Sequence, residues 1–227
     1  MRSAWAAVRH NLRPFLLIQA AALVFVALFS PWPAFAQTAN RAGEIKAAAG
    51  PLGAMLATAF ASVALPEAAK RLTRAAGIPK GEILFQIAVF MILGGMVDTL
   101  YRTLAVVVGN ENDLRTVATK TALDMGLFAP LLAVPYSVLA FLWRDAGFSF
   151  ARLRGMVRTE LWPRYSAVLV TAWCFWIPVV IGLYSLPAGI QFVLYLCTQA
   201  AWSLLLVWMS SSDQTVPPLE EELGASR

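Results

Sequence analysis

Two apolar stretches, residues 83–108 and 116–143, are separated by a short polar turn and carry only two ionisable side chains each. Asp98 and Arg102 lie near the end of the first, Lys120 and Asp124 near the start of the second, so all four fall on one side of the hairpin the turn creates. A charge inside a membrane-length segment costs about 2.5–3.5 kcal/mol on insertion scales, and such residues turn toward other helices or a hydrated cavity. Each pair is spaced by four residues, which places both side chains on one helix face. At 1.5 Å per residue, Asp98 stands about 22 Å and Arg102 about 28 Å along a helix that begins at Ile83. Antiparallel packing can join Asp98 to Lys120 and Arg102 to Asp124, or each pair can close within its own helix. Such a cluster either fixes helix register or lines a hydrated path.

Composition sets the class. Hydrophobic residues make up 59% of the 227-residue chain and charged residues 14%, against the roughly 25% charged of soluble domains. Spans of this length must satisfy their backbone groups internally, which selects helices. The expected fold is an all-α integral membrane protein, a bundle of about five transmembrane helices after an N-terminal signal peptide, or six if that segment stays as an anchor. The net charge of +5 sits in loops beside apolar segments, so it reads as the positive-inside rule, and no nucleic-acid partner is expected. Cys174 and Cys197 lie in apolar segments as small hydrophobes. His10 is the sole histidine, which removes His-based metal sites and Ser-His-Asp hydrolysis. No nucleophile stands beside a base, so neither an enzyme nor a cofactor is expected.

Residues 1–36 carry Arg2, Arg9 and Arg13, an apolar run over 15–29, and Ala34-Phe35-Ala36 before Gln37. That is the layout of a signal peptide cleaved after Ala36, with an uncleaved anchor or an organellar targeting segment as alternatives. Residues 37–209 form the helical membrane domain, opening on a polar lead-in over 37–49. The spacing predicts spans over 52–65, 83–108, 116–143, 165–186 and 190–209. The first is short, and its Gly53, Ala57 and Ala61 row, with Ala54, Thr58 and Ser62 beside it, lets helix backbones approach closely. Pro66 should end or kink it, and Pro130 and Pro135 should kink the third span and free carbonyls for neighbours to meet. Residues 210–227 form an acidic, disordered cytoplasmic tail.

Basic residues mark the sides. Lys70, Arg71, Arg74 and Lys80 fill one loop and Arg144, Arg152, Arg154, Arg158 and Arg164 another, while 109–113 is poor in them. The rich loops are expected in the cytoplasm of a bacterial inner membrane, with an organellar membrane as the alternative. Phe150, Leu153, Val157 and Leu161 recur at a helical period among arginines. This predicts a surface helix that meets anionic lipid at Arg152, Arg154 and Arg158. The bilayer is thus the first partner, and a homo-oligomer is a second option.

Several motifs carry a resemblance. Gly94-xxx-Asp98-xx-Tyr101-xx-Leu104 follows a glycine, histidine, tyrosine and leucine pattern with Asp98 in the histidine position. Lys120-xxx-Asp124-Met125-xxxx-Pro130 follows a lysine, aspartate-glutamine and proline pattern with Met125 for glutamine. Trp176 and Pro178 stand for a tryptophan-proline element of altered spacing, and Pro187, Trp202 and Trp208 keep the spacing of a closing signature. Over residues 53–208 the chain resembles the Mpv-seventeen and peroxisomal-membrane-protein-twenty-two family of small helical membrane proteins. The asparagine after the first closing tryptophan and the arginine after the last proline motif are replaced by Ser203 and Gln191. The resemblance implies passive passage of small hydrophilic solutes. A non-transporting membrane assembly, scaffold or stress-homeostasis factor is the alternative.

Overall fold

A computed structural model describes residues 33–73 and 80–213, together with Ala20 and Val24. The expected leader therefore lies almost wholly outside the described residues. Every described element is helical: α1 (Pro33–Ala59), a π-helical segment (Phe60–Ala64), α2 (Leu65–Thr73), α3 (Lys80–Val107) and α4 (Leu114–Leu123). A second π-helical segment (Asp124–Ala133) leads into α5 (Val134–Asp145), α6 (Phe150–Thr159), α7 (Leu161–Tyr184) and α8 (Ala188–Asp213). Among the described residues four helical stretches are long and apolar enough to cross a membrane: Asn40–Ala68, Gly81–Val107, Leu114–Asp145 and Leu161–Tyr184. Large apolar side chains such as Leu84, Val106, Leu131 and Ile181 are exposed on the outside of the bundle, as a surface facing acyl chains requires.

The first span differs from its expected bounds. The lead-in over 37–49 is helix, and the apolar stretch runs through to Ala68. Gly50 adopts φ +62° and Pro51 follows it, a left-handed residue and a missing N–H that together bend the helix where polar lead-in meets apolar span. Pro66 does not end the segment. Helix α2 continues through it because the preceding turn has widened: Leu65 N–H reaches the carbonyl of Phe60, five residues back, which relieves the clash a proline ring makes in an α-helix. Helix α7 starts at Leu161 because Pro163 is tolerated in a first turn. Helix α8 enters the expected tail as far as Asp213, since no breaker precedes Pro217, and residues 214–227 lie outside the described residues.

The prolines of the third span act through the same device. In the second π segment Val134 N–H donates to Ala129, again five back. In that register Pro130 would have donated to Met125 and Pro135 to Pro130, so both carbonyls lose a partner. Helix α7 supplies both. Trp173 Nε1 donates to the Met125 carbonyl at 2.7 Å and Tyr165 Oη to the Pro130 carbonyl at 2.9 Å. The carbonyls freed by proline are thus met by neighbours, and the donors are aromatic.

Packing fixes which ends of the helices meet. Helix α1 packs chiefly on α3 and then on α8. At Gly94 an added Cβ would stand 2.5 Å from Thr58 Oγ1 and 3.0 Å from the Ala54 carbonyl, so α1 and α3 touch backbone to backbone through the row 54, 58, 62. Gly43 is likewise pressed against the Gly189 carbonyl. At one end of the bundle lie the 108–113 turn, the end of α7 and the start of α8. At the other end Phe85 of α3 packs on Trp143 and Phe148, and Arg164 of α7 pairs with Asp145. These are called below the hairpin end and the basic end.

Candidate functional site

Of the four charged residues in the hairpin, three turn inward. Asp98 is 1%, Lys120 1% and Asp124 4% exposed, whereas the Arg102 side chain is half exposed. The pairing is the one within α3: Arg102 Nε lies 2.8 Å from Asp98 Oδ2. The other carboxylate oxygen of Asp98 takes Lys46 of α1. The cross-helix pairs Asp98–Lys120 and Arg102–Asp124 do not form among the described residues. Lys46, arriving from the helical lead-in, occupies the position that Lys120 would have needed.

Asp124 instead accepts a hydrogen bond from Tyr184 Oη at 2.7 Å. It opens the π segment, yet its N–H still reaches the Lys120 carbonyl four residues back. The two residues therefore stay one helical turn apart, while the Asp124 carboxylate is taken by α7 rather than by the Lys120 ammonium. Lys120 holds its ammonium over the Tyr184 ring, 5.8 Å from the centroid. Among the described residues no carboxylate comes within ion-pair distance of it.

The two centres are joined by aromatic rings. Tyr101 meets Tyr184, Phe192 and Tyr195 edge-on, with centroids 5.8, 6.3 and 6.1 Å apart, the arrangement that ring quadrupoles favour. Lys46 Nζ lies over Phe192 at 4.7 Å. Lys46–Asp98–Arg102 thus stands on one side of an aromatic box and Lys120–Asp124–Tyr184 on the other.

A polar row leads away from this box. Gln191, Tyr195, Gln199 and Ser203 recur every four residues on α8 and all are buried, with Thr198 beside them. Gln199 Nε2 donates to Ser62 Oγ at 3.0 Å. Tyr195 Oη approaches Thr58 without closing a well-aligned hydrogen bond, and Gln191 Nε2 donates to the Leu186 carbonyl at 2.9 Å. From 191 to 203 the row covers about 18 Å of helix. Lys46, Tyr184 and this row were missed at the level of sequence. Lys46 stood in a segment read as a lead-in, and the two glutamines of α8 carry no charge to set them apart from the apolar run around them, although their spacing of four with Tyr195 and Ser203 was a legible signal.

The remaining motif residues sit around this frame. Gly94 is the close contact with Thr58, Tyr101 the centre of the box, and Pro130 the interruption capped by Tyr165. Trp176 packs on Tyr195 at 5.9 Å, and Trp202 on Phe175 at 4.3 Å. Pro178 lies inside α7, and Pro187 opens the turn into α8, its carbonyl accepting from Ile190 N–H at 3.1 Å. The Trp208 side chain lies outside the described residues. Helix α6 has no buried residue, and Arg152, Arg154 and Arg158 are exposed on it. Among the described residues no three His, Cys, Asp or Glu side chains gather as metal ligands would. No protein-family model matches the sequence, and neither curated proteins nor solved structures give a match.

Proposed function

We propose that this is a five-span inner-membrane protein, inserted behind a signal peptide, that provides a passive path for small hydrophilic solutes. A sixth span is present if the leader is retained. The observation that carries this reading is the inward polar row of α8, which begins at the ionic centres and faces Thr58 and Ser62 of the first span. Ionisable groups turned into a membrane bundle mark substrate or ion paths, and the polar groups that line such a path set what passes. The resemblance to the Mpv-seventeen family points the same way, and the exposed arginines of α6 suit an anionic cytoplasmic leaflet. The test is solute efflux from liposomes and conductance in planar bilayers, with wild type compared to Gln199→Leu. Efflux that falls at least severalfold in the variant, with helicity and elution volume unchanged, supports the path; equal flux removes α8 from it.

A non-transporting assembly factor is favoured by a different observation. Asp98 has both oxygens taken by cations from two helices, which is the behaviour of a register device. Folded, monodisperse protein with no conductance and a tightly co-purifying membrane protein supports that reading.

A further inference from the structure

The five charged groups gathered about the aromatic box do not cancel. Lys46, Arg102 and Lys120 stand against Asp98 and Asp124, three cations to two carboxylates, which leaves one formal positive charge. The geometry shows where it resides. Asp98 divides its two oxygens between Lys46 and Arg102, and an oxygen of Asp124 is occupied by Tyr184 Oη at 2.7 Å. Lys120 remains, 1% exposed, with the Tyr184 ring face beneath its ammonium at 5.8 Å and no carboxylate at ion-pair distance among the described residues. A ring face offsets only part of the desolvation of a buried cation, so Lys120 is left short of a counter-charge.

Space and sign restrict what can supply it. Lys120 stands on α4 with the Tyr184 end of α7 beneath its ammonium and only 1% of the residue exposed, so a ligand there must be small. An uncompensated positive charge between low-dielectric walls concentrates anions and repels cations, the principle by which lysine and arginine rings select in anion pores. We propose that Lys120 binds a small inorganic anion of the halide class and thereby makes the path anion-selective. This rests on the path reading above and adds the sign of what passes.

The experiment is a reversal-potential measurement on the purified full chain in a planar bilayer under a potassium chloride gradient. Chloride-35 NMR line broadening on the same preparation reports binding without requiring conduction. Wild type should reverse near the chloride potential, with chloride favoured over potassium roughly tenfold or more, and should broaden the chloride line saturably. Lys120→Met should lose both, and Lys120→Arg should keep both. Conductance that reverses near the potassium potential, or that shows no preference, overturns the anion assignment while leaving the path. Absence of conductance together with absence of broadening in folded wild type overturns both readings. If Lys120→Met fails to fold, the wild-type reversal potential and line width still decide.

Discussion

At the hairpin end Asp98 holds Lys46 and Arg102 with its own side chain 1% exposed. At the basic end Asp145, 26% exposed, holds Arg144 at 2.8 Å and Arg164 at 2.5 Å, and Arg164 also pairs with Glu160 at 2.6 Å. In each place one aspartate holds two cations, although at the basic end Glu160 and Glu82 share those arginines as well. What differs is the medium. Exposed pairs gain little because water already solvates both partners. A buried pair gains from the low dielectric only what desolvation has removed, so it adds little net stability while making the loss of either partner severe. The hairpin end is therefore brittle and the basic end forgiving.

The largest expected effect follows at Asp98. Asp98→Leu strands Lys46 against an apolar wall and should cost about 3–5 kcal/mol, read as a large fall in the thermal midpoint of detergent-solubilised protein; a loss below about 1 kcal/mol would put Asp98 in the same class as the surface pairs. Next comes Trp173→Phe, which keeps the ring and removes the donor to the Met125 carbonyl. It should cost about 1–3 kcal/mol, the penalty for leaving a buried acceptor unmet. An unchanged midpoint would show that water reaches that carbonyl. Smaller again is Asp145→Asn at the basic end, where about 0.2–1 kcal/mol is expected, and that loss should vanish at high salt. A salt-independent loss would mean that the network is less open than its exposure indicates.

The smallest effect belongs to the turn before α4. Asp113 caps that helix, accepting from the N–H of Arg115 at 2.8 Å and of Thr116 at 3.1 Å, and from Thr116 Oγ1 at 2.7 Å. These bonds, the Thr116 hydroxyl foremost, hold its carboxyl below the usual range. A depressed folded value means the contribution is full above the unfolded pKa and fades as pH falls through the folded one. Asp113→Asn should therefore flatten a slight acid-side loss of stability and leave the neutral midpoint almost unmoved. A large neutral shift would show that the cap does more than close the turn.

Charges were the part of the site most legible in the sequence, because Asp98, Arg102, Lys120 and Asp124 interrupt apolar runs that otherwise give no contrast. Their partners were not legible. Lys46 lay beyond a glycine–proline break and was read as part of a segment outside the bundle, although its helix folds back over α3. Tyr184 differs little from its neighbours in hydropathy, and nothing local says that its hydroxyl is aimed at a carboxylate sixty residues earlier. The helices themselves were readable from length and composition. Their exact ends were not, since Pro66 and Pro163 are tolerated for reasons set by the turns around them. The disturbance at Pro130 was foreseeable, but the widened turn and the two aromatic donors were not, because they depend on which face α7 presents.

Those two donors also impose an order of assembly. Without α7 the Met125 and Pro130 carbonyls have no donor within their own helix, so they stay unmet in hydrocarbon until Trp173 and Tyr165 dock against them. A helix sliding past them by one turn would satisfy neither, because indole and phenol are spaced to match a single alignment. The prolines thus act as a keyway: they leave the third rod incomplete by itself and make its completion the reward for correct docking of the fourth.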